Sequence, residues 1–322
     1  MKRFFLVLIC LSCAALLLLQ GCVKISSESI VEKSLSTMKD SSGRITRFLV
    51  LGCDRSARLA DCIMVITVCE SNGAVSVVQI PRDTYAEYTD RDYKKLNGIL
   101  QEKGERGAKE FLSQALGVPL DYFLILDLDC LDRIVDAVGG VDLEIPVDMY
   151  YSDPDGGLEI NLSKGNHHLN GAEVEQFVRY RAGYANADLG RLDAQKLFLR
   201  AFVKKCSGLS SADRMKLVLS VLTKVQTDID LPAIIRMTGL LGSFDADAIP
   251  MATLPGQAVQ GKSGAWYYSL NRQGAIRALN QYLFPQNELD DRIFDPDGVF
   301  DREDFKDFHN IYIAPEEKLP PG

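Results

Sequence analysis

The sequence is short of the residues and spacings on which several large classes of enzyme depend. It has only three histidines in 322 residues, and it contains no P-loop, no dinucleotide-binding fingerprint and no Ser-His-Asp arrangement. The five cysteines that follow the N-terminal segment show no CxxC spacing, which argues against a zinc site. The net charge of -8 argues against a protein that binds nucleic acid over its whole surface. Any anion-binding site must therefore be local.

The N-terminus differs in kind from the rest of the chain. Two basic residues precede an uncharged apolar run at 4–19, which is short for a membrane-spanning helix of about 20 residues. Leu19-Gln-Gly-Cys22 resembles a bacterial lipobox, so residues 1–22 are predicted to be a signal peptide with Cys22 as the lipidation site. A membrane anchor continuing to Val23 is the alternative. Both interpretations place the chain after residue 24 outside the membrane.

The remaining chain divides into three parts. Residues 23–44 are predicted to be a tether, 45–285 one α/β domain, and 286–322 a peripheral acidic tail. An odd number of cysteines follows the N-terminal segment, so they cannot all pair within one chain. They are predicted to be mostly free, buried thiols, with a Cys53–Cys62 bridge left open: Cys53, Cys62, Cys69, Cys130 and Cys206.

Strand and helix patterns alternate along the domain. Strands are predicted at 48–51, 62–68, 74–80, 122–126, 141–145 and 158–162, with edge strands at 249–254 and 266–270. Residues 94–97 are predicted to lead into a helical stretch, with apolar residues at helical spacing at 108–116. Further helices are predicted at 131–138, 170–180, 193–205, 212–225, 232–241 and 272–283. Asp129 and Asn170 are the predicted caps of the second and third helices, 150–157 a loop, and His167-His168 a solvated pair before a turn. The pattern predicts a three-layer α-β-α sandwich with a mixed central sheet, because the Asn72-Gly73 turn makes one strand pair antiparallel.

Carboxylates stand at both ends of a short loop between two predicted strands. Asp54 and Asp61 would be brought close by strand pairing, and two like charges at short range favour a cation between them. Mg²⁺ is usually held by one or two carboxylates together with phosphate oxygens of a substrate. Two solvated loop carboxylates without a ligand are the alternative.

Arginines occur at two further strand or helix ends. Arg82-Asp83 follows Ile80-Pro81 directly after a predicted strand. A helix ending near residues 177–179 would leave Arg179 and Arg181 on an extended segment, where both can point one way. Guanidinium groups suit phosphate oxygens, although a surface ion pair and a basic helix end are the alternatives.

Two more polar clusters belong to the candidate site residues. Asp188 and Arg191 stand at the mouth of a long predicted helix, where an N-terminus favours anions. Lys95 and Asn97 form the last cluster.

The chain resembles the LytR-CpsA-Psr family from about residue 46 to 206, and more weakly to about 285. Each motif alone is weak, but eight in the same order are specific. They are Gly52-x-Asp54, Asp61-x-x-Met64, Ile80-Pro-Arg-Asp-Thr84, Lys95-Leu-Asn97, Val138-Gly-Gly-Val-Asp142, Leu169-Asn-Gly171, Val178-Arg-Tyr-Arg181 and Asp188-x-Gly-Arg191-x-x-x-Gln195.

The resemblance implies a membrane-anchored cell-wall enzyme on the extracytoplasmic face, of the kind found mainly in Gram-positive bacteria. Such enzymes transfer glycopolymers, for example teichoic acid or capsule, from a polyprenyl-pyrophosphate carrier to peptidoglycan with the help of Mg²⁺ or Mn²⁺. A pyrophosphatase or phosphodiesterase acting on the same lipid and a non-catalytic regulator that binds the lipid pyrophosphate are the alternatives. Nucleic acid is not an expected partner.

Roles follow by motif from the same resemblance. Asp54 and Asp61 would hold the metal, and Arg82, Arg179 and Arg181 would bind the pyrophosphate. Asp83 would be a structural partner or a general base. The polar pocket would be completed by Lys95, Asn97, Asp188, Arg191 and Gln195. Family members usually carry an arginine two residues before the second aspartate, where this chain has Leu59, so Arg58 either replaces it or leaves a site that binds less tightly.

Overall fold

The computed structural model describes residues 35–36, 43–54, 58–86, 88, 94–154, 157–184, 188–210, 213, 225–230, 232–233, 246–260 and 264–285. The predicted N-terminal segment at 1–22 with Cys22, most of the tether, the C-terminal tail and nearly all of the helices predicted at 212–225 and 232–241 lie outside these residues. In the described part of the chain, no helix combines the length and apolar character needed to cross a membrane.

Twelve strands and five α-helices are described. The strands are β1 Ile45–Cys53, β2 Ala60–Cys69, β3 Val75–Gln79, β4 Tyr122–Asp127, β5 Val141–Ile145, β6 Met149–Asp153, β7 Leu158–Leu162, β8 Gly165–Leu169, β9 Gln226–Thr227, β10 Met251–Thr253, β11 Gly256–Gln260 and β12 Trp266–Leu270. The helices are α1 Ile99–Ala115, α2 Leu128–Ala137, α3 Gly171–Arg179, α4 Asp188–Ser207 and α5 Arg272–Leu283, with short 3₁₀ turns at Leu96–Gly98 and Ala246–Ala248.

Six strands form the central sheet in the order β10-β3-β2-β1-β4-β9. β2 pairs antiparallel with both β1 and β3, whereas β1–β4 and β10–β3 are parallel pairs. The β2–β3 turn is the predicted one, with Gly73 at a φ of 73° and Asn72 Oδ1 accepting a hydrogen bond from Ala74 N at 2.9 Å. The sheet is therefore mixed, as the sequence predicted.

Each face of the sheet carries its own core, because successive strand side chains point to opposite sides. On one side Leu49 packs with Leu112 of α1 and Leu279 of α5. On the other side Phe48 packs with side chains of α2, α3 and α4, such as Phe177 and Phe202. The predicted three-layer α-β-α architecture is confirmed.

One predicted helix start was confirmed and one was wrong. α1 begins at Ile99, directly after the residues 94–97 that were predicted to lead into a helical stretch, and passes through a kink at Gly104, where φ is 66°. α2 begins at Leu128 and is capped by Asp127, whose Oδ1 accepts from Cys130 N at 2.7 Å, so Asp129 is not the cap. The Asn170 cap of α3 is confirmed, with Glu173 completing a capping box.

Three two-stranded sheets lie outside the central sheet, and one strand of each was not predicted. β6 occupies the first half of the predicted loop at 150–157 and pairs with β7, although it contains no β-branched residue. His167 and His168 belong to β8, which pairs with β5, and His168 contacts Asp142 at 2.8 Å. β12 is not an edge of the central sheet but forms a ribbon with β11.

The five described cysteines are free thiols, as expected, and the Cys53–Cys62 bridge is not formed. The register explains this, because Cys53 lies opposite Ala60 whereas Cys62 lies opposite Gly52. Burial raises the pKa of both thiols to about 12, so they stay protonated at neutral pH.

Candidate active site

A cavity of about 480 Å³ lies between the sheet and the layer formed by α2, α3, α4 and the β6–β7 hairpin. Its walls are mostly apolar and come from both layers: Val50, Met64, Leu126, Leu131, Ile160, Val178, Phe198 and Leu199. Several polar side chains also line it: Asp61, Arg179, Arg181, Arg191 and Gln195. It lies at the carboxyl ends of the parallel strands β1 and β4, the edge at which open α/β sheets bind ligands.

A β-bulge positions Asp61. The β1–β2 register changes from Gly52↔Cys62 to Cys53↔Ala60, so Asp61 is an extra residue in β2. A bulge of this kind bends the strand and redirects a side chain. Asp61 Oδ1 accepts a short hydrogen bond from Arg82 Nη1 and lies 4.0 Å from Arg181 Nη2.

Asp188 is the carboxylate on which three guanidinium groups converge. It is the first residue of α4, and Arg191 binds it in a bidentate way, with Nε to Oδ1 and Nη2 to Oδ2 both at 3.0 Å. Arg82 Nε and Arg181 Nε approach Oδ1 at 3.6 and 3.7 Å. Burial opposes ionisation of Asp188, but the hydrogen bonds and charge of Arg191, with Arg82 and Arg181, lower its pKa below the usual value. Its contribution to stability is therefore present above the ordinary pKa of an aspartate and is lost only as the pH falls through the lowered value.

Arg191 is buried and joins α4 to β2. Only 1% of the residue is exposed, and besides Asp188 it binds the carbonyl oxygen of Asp61 through Nη1 at 2.7 Å. Because one guanidinium holds the start of α4 against the bulge, the positions of the two carboxylates depend on each other.

Arg179 and Arg181 line the same cavity, as their spacing predicted. α3 ends at Arg179, and Tyr180 is extended, with φ -62° and ψ 138°. Arg179 Nη1 donates to Glu175 Oε1 at 2.7 Å, whereas 43% of the Arg181 side chain is exposed. Burial and the neighbouring charges of Arg82 and Arg191 lower the pKa of Arg181. An excess of positive charge therefore faces the cavity at Arg181, which favours an anionic ligand.

Arg82, Asp83, Lys95 and Asn97 form a support beside the cavity. Lys95 Nζ lies 2.9 Å from Asp83 Oδ1, and the backbone N–H of Asn97 donates to the carbonyl oxygen of Arg82 at 2.9 Å. Arg82 itself bridges Asp61 and Asp188. The predicted polar clusters at 82–83 and 95–97 are therefore in contact with each other, and Arg82 connects them to the carboxylates of Asp61 and Asp188.

Asp54 and Arg58 are not among the residues that line the cavity. Asp54 Oδ1 accepts from Leu59 N at 3.1 Å and thereby closes its own loop. Arg58 has a positive φ of 53° and forms an ion pair with Glu105 of α1, with 48% of its side chain exposed. The structure therefore does not bring the Arg58 guanidinium to Arg179 and Arg181.

If the cavity binds the polyprenyl pyrophosphate that the family resemblance implies, we expect the Arg58→Ala variant to keep its affinity within about twofold of the wild type, because Arg58 pairs with Glu105 and does not line the cavity. Titration of the purified variants with the lipid measures this. Glu105→Ala, which removes the other half of the pair, is the matched control. A loss of tenfold or more in Arg58→Ala alone would show that Arg58 does replace the missing family arginine.

Two side chains of the site were missed from the sequence. Glu175 is buried and holds Arg179, and its i,i+4 spacing was the available signal. Gln79 is fully buried at the end of β3 and donates through Nε2 to Gln195 Oε1 at 3.1 Å. A glutamine inside a buried apolar strand was the signal there, since such a group needs polar partners.

Histidine, cysteine, aspartate and glutamate side chains form no group of three or more suited to a metal ion among the residues that the structure describes.

Fold and site together define an α/β protein in which clustered arginines open into an apolar cavity, the class expected to bind an amphiphile with an anionic head. Residues 20–282 match the model of the LytR-CpsA-Psr family, and the chain belongs to this family. The resemblance drawn from the eight motifs is thereby confirmed.

Named relatives agree with this assignment. The chain is 26% identical over 233 residues to the polyisoprenyl-teichoic acid–peptidoglycan teichoic acid transferase TagV of Bacillus subtilis, covering 70% of this chain and 60% of TagV. It is 30% identical over 240 residues to the corresponding transferase TagU of Bacillus anthracis, covering 71% of this chain and 75% of TagU.

Solved structures show the same fold. The crystal structure of B. subtilis TagV matches with a TM-score of 0.65 and 22% identity, covering 77% of this chain and all (100%) of that chain. A structure of TagT bound to LIIa-WTA matches with a TM-score of 0.59 and 22% identity, covering 77% of this chain and 91% of that chain.

Proposed function

We propose that this protein is an extracytoplasmic phosphotransferase that moves a glycopolymer from a polyprenyl-pyrophosphate carrier to peptidoglycan. The observation that carries the proposal is the cavity, whose walls are apolar and whose polar lining includes Arg179, Arg181 and Arg191. A polyprenyl pyrophosphate has the matching halves, an apolar chain and a compact anion. The names of TagV and TagU, both teichoic acid transferases, support the same activity.

The arginines would bind the pyrophosphate, and the apolar cavity would hold part of the lipid chain. A volume of about 480 Å³ is in the usual range for small-molecule pockets and leaves room for several isoprene units. Arg181 is the exposed member, and planar guanidinium groups bind phosphate oxygens in pairs. Burial of the lipid chain would exclude water from the pyrophosphate and strengthen its contacts to the arginines.

The reaction would join an acceptor hydroxyl to the phosphorus that carries the glycopolymer. The new P–O bond forms as the bridging P–O bond of the pyrophosphate breaks, and the polyprenyl phosphate leaves with the bridging oxygen. Asp83, held by Lys95, is the candidate to accept the hydroxyl proton. Arg179 and Arg181 would stabilise the charge that builds on the phosphate oxygens, and Arg82 would act through the carboxylates that it holds.

Asp61, with Asp54 across the loop, would hold Mg²⁺ or Mn²⁺. Oxygen donors at the polar end of the cavity fit such an ion, and both guanidinium contacts of Asp61 use Oδ1. One or two carboxylates are enough for Mg²⁺ when substrate phosphates complete the coordination. When bound, the ion would neutralise charge on the phosphate oxygens.

The N-terminus would tether the domain to the outer face of the membrane, through a lipid on Cys22 or through an uncleaved apolar segment. Mass spectrometry of the mature N-terminus distinguishes the two. A diacylglycerol-modified N-terminal Cys22 supports the lipoprotein, and an intact residue 1 supports the anchor.

Transfer can be tested with the full-length protein, polyprenyl-pyrophosphate-linked teichoic acid and peptidoglycan. The expected products are polymer attached covalently to peptidoglycan and one polyprenyl phosphate for each polymer transferred. Phosphate release without attached polymer would indicate a pyrophosphatase or phosphodiesterase instead. Lipid binding without any product would indicate a non-catalytic module.

Asp61→Asn is expected to raise the Mg²⁺ concentration needed for half-maximal transfer on the order of tenfold, because the amide keeps the shape of the side chain and loses its charge. A magnesium titration of the transfer reaction measures the change. Asp142→Asn, an exposed carboxylate on β5, is the control and should follow the wild-type curve. Equal magnesium curves for Asp61→Asn and the wild type would remove Asp61 from the metal site.

A further inference from the structure

Gln195 lies at the end of a chain of side-chain hydrogen bonds that begins at the protein surface. Lys196 Nζ lies 3.2 Å from Thr253 Oγ1, and Thr253 Oγ1 lies 3.4 Å from Gln79 Oε1. Gln79 Nε2 then lies 3.1 Å from Gln195 Oε1, and Gln195 lines the cavity. The chain connects β10, β3 and α4, three elements that are far apart in sequence.

Donor and acceptor roles along this chain can be assigned from its first member. An ammonium group only donates, so Thr253 Oγ1 accepts from Lys196 and keeps its own proton for Gln79 Oε1. Because the amide oxygen of Gln79 accepts from Thr253, the Nε2 of Gln79 is the atom that donates to Gln195 Oε1. This leaves the NH₂ group of Gln195 for the cavity.

We propose that Gln79 and Thr253 are positioning residues that orient the Gln195 amide so that its NH₂ group faces the cavity and donates to a phosphate oxygen. The inference rests on the proposed function, because it assigns the ligand of Gln195 to the pyrophosphate of the carrier. A flipped Gln195 would turn its carbonyl oxygen toward the anion and its NH₂ toward that of Gln79. Gln79 is 0% exposed and Gln195 7% exposed, so bulk water does not solvate the mismatched groups.

The pairing of β3 with β10 holds the side chains of this hydrogen-bond series in place. Thr253 is the last residue of β10 and lies opposite Gln79, the last residue of β3, in a parallel register. Arg82 follows Gln79 by three residues, so the strand that supports Arg82 also orients Gln195. The C-terminal part of the domain thereby contributes to the site through β10.

Thr253→Val removes the hydroxyl and keeps the shape of the side chain. We expect full-length Thr253→Val in detergent micelles to bind geranylgeranyl pyrophosphate about fivefold more weakly than the wild type, since one hydrogen bond to the anion loses its fixed donor. Thr253→Ser should bind within about twofold of the wild type. Thr67→Val is the matched control, because the Thr67 hydroxyl is buried on β2 and has no hydrogen-bond partner among the described residues, and its affinity should be unchanged.

A double-mutant cycle separates positioning from a general structural effect. In a Gln195→Leu background, Thr253→Val should cause no further loss of affinity, because the amide that it orients is absent. The same fivefold loss in both backgrounds, or full affinity in Thr253→Val, would overturn the positioning role while leaving the proposed function intact. A wild-type protein that does not bind geranylgeranyl pyrophosphate would overturn both.

Discussion

Arg181→Ala is expected to lower kcat/KM for glycopolymer transfer about 100-fold, while the free energy of unfolding stays within about 1 kcal/mol of the wild type. The Arg181 side chain is 43% exposed and its contacts with Asp61 and Asp188 are long, at 4.0 and 3.7 Å, so its charge contributes little to the fold. The same charge faces the cavity beside Arg179 and is free to pair with phosphate oxygens that carry more charge in the transition state.

Transfer kinetics and urea denaturation of the same preparations measure the two quantities. Arg181→Lys keeps the charge and loses the planar fork, so we expect an intermediate loss of about tenfold. Arg44→Ala is the control, because Arg44 is also exposed and pairs with Glu70 at 3.6 Å near the start of β1. Equal losses of activity in Arg181→Ala and Arg44→Ala would exclude a direct role of Arg181 in binding the pyrophosphate.

Arg191→Met, unlike Arg181→Ala, is expected to lower the free energy of unfolding by about 3 kcal/mol, and it should also lose activity. Arg191 is 1% exposed, and its removal leaves Asp188 without its bidentate partner and the Asp61 carbonyl oxygen without its donor. The loss of stability is large because the Asp188 carboxylate is largely shielded from water and the methionine offers it no hydrogen bond.

Arg181→Met is the matched control for this loss of stability. Its guanidinium also lines the cavity, but 43% of the side chain is exposed and its contacts with Asp61 and Asp188 are long, at 4.0 and 3.7 Å. We expect it to lose less than about 1 kcal/mol, so denaturation midpoints should separate the two variants clearly. If Arg191→Met unfolds at the same urea concentration as Arg181→Met, Arg191 does not hold α4 against β2.

Much of the fold was predictable because its elements carry strong local patterns. β1, β2 and β3 are continuous apolar runs, the Asn72-Gly73 turn fixes an antiparallel pair, and α3 has its capping box in the sequence. β6 was missed because its exposed side chains and lack of β-branched residues resemble a loop, and its pairing with β7 decides its structure. The cap of α2 was misplaced because three aspartates, Asp127, Asp129 and Asp132, offer similar local signals.

Within the site, the sequence predicted which arginines would meet but not what each would bind. Arg179 and Arg181 were paired correctly from the end of α3, since a two-residue spacing on extended backbone places both on one side. Gln79 was treated as one more residue of a strand, because nothing in its local sequence indicates that Gln195 lies 3.1 Å away.

By itself, the sequence determined the family, the mixed α/β sandwich and the set of charged residues from which the site is built, since these depend on periodicity, turns and ordered motifs. Only the tertiary structure decided which of those charges face the cavity and which support it. Asp61 is turned toward the cavity by a bulge, Arg191 is buried between α4 and β2, and Arg58 is drawn away to Glu105. The physical reason is that a charged side chain takes the partner that packing brings near, and the Arg191 guanidinium binds the backbone carbonyl oxygen of Asp61, which lies 130 residues away along the chain.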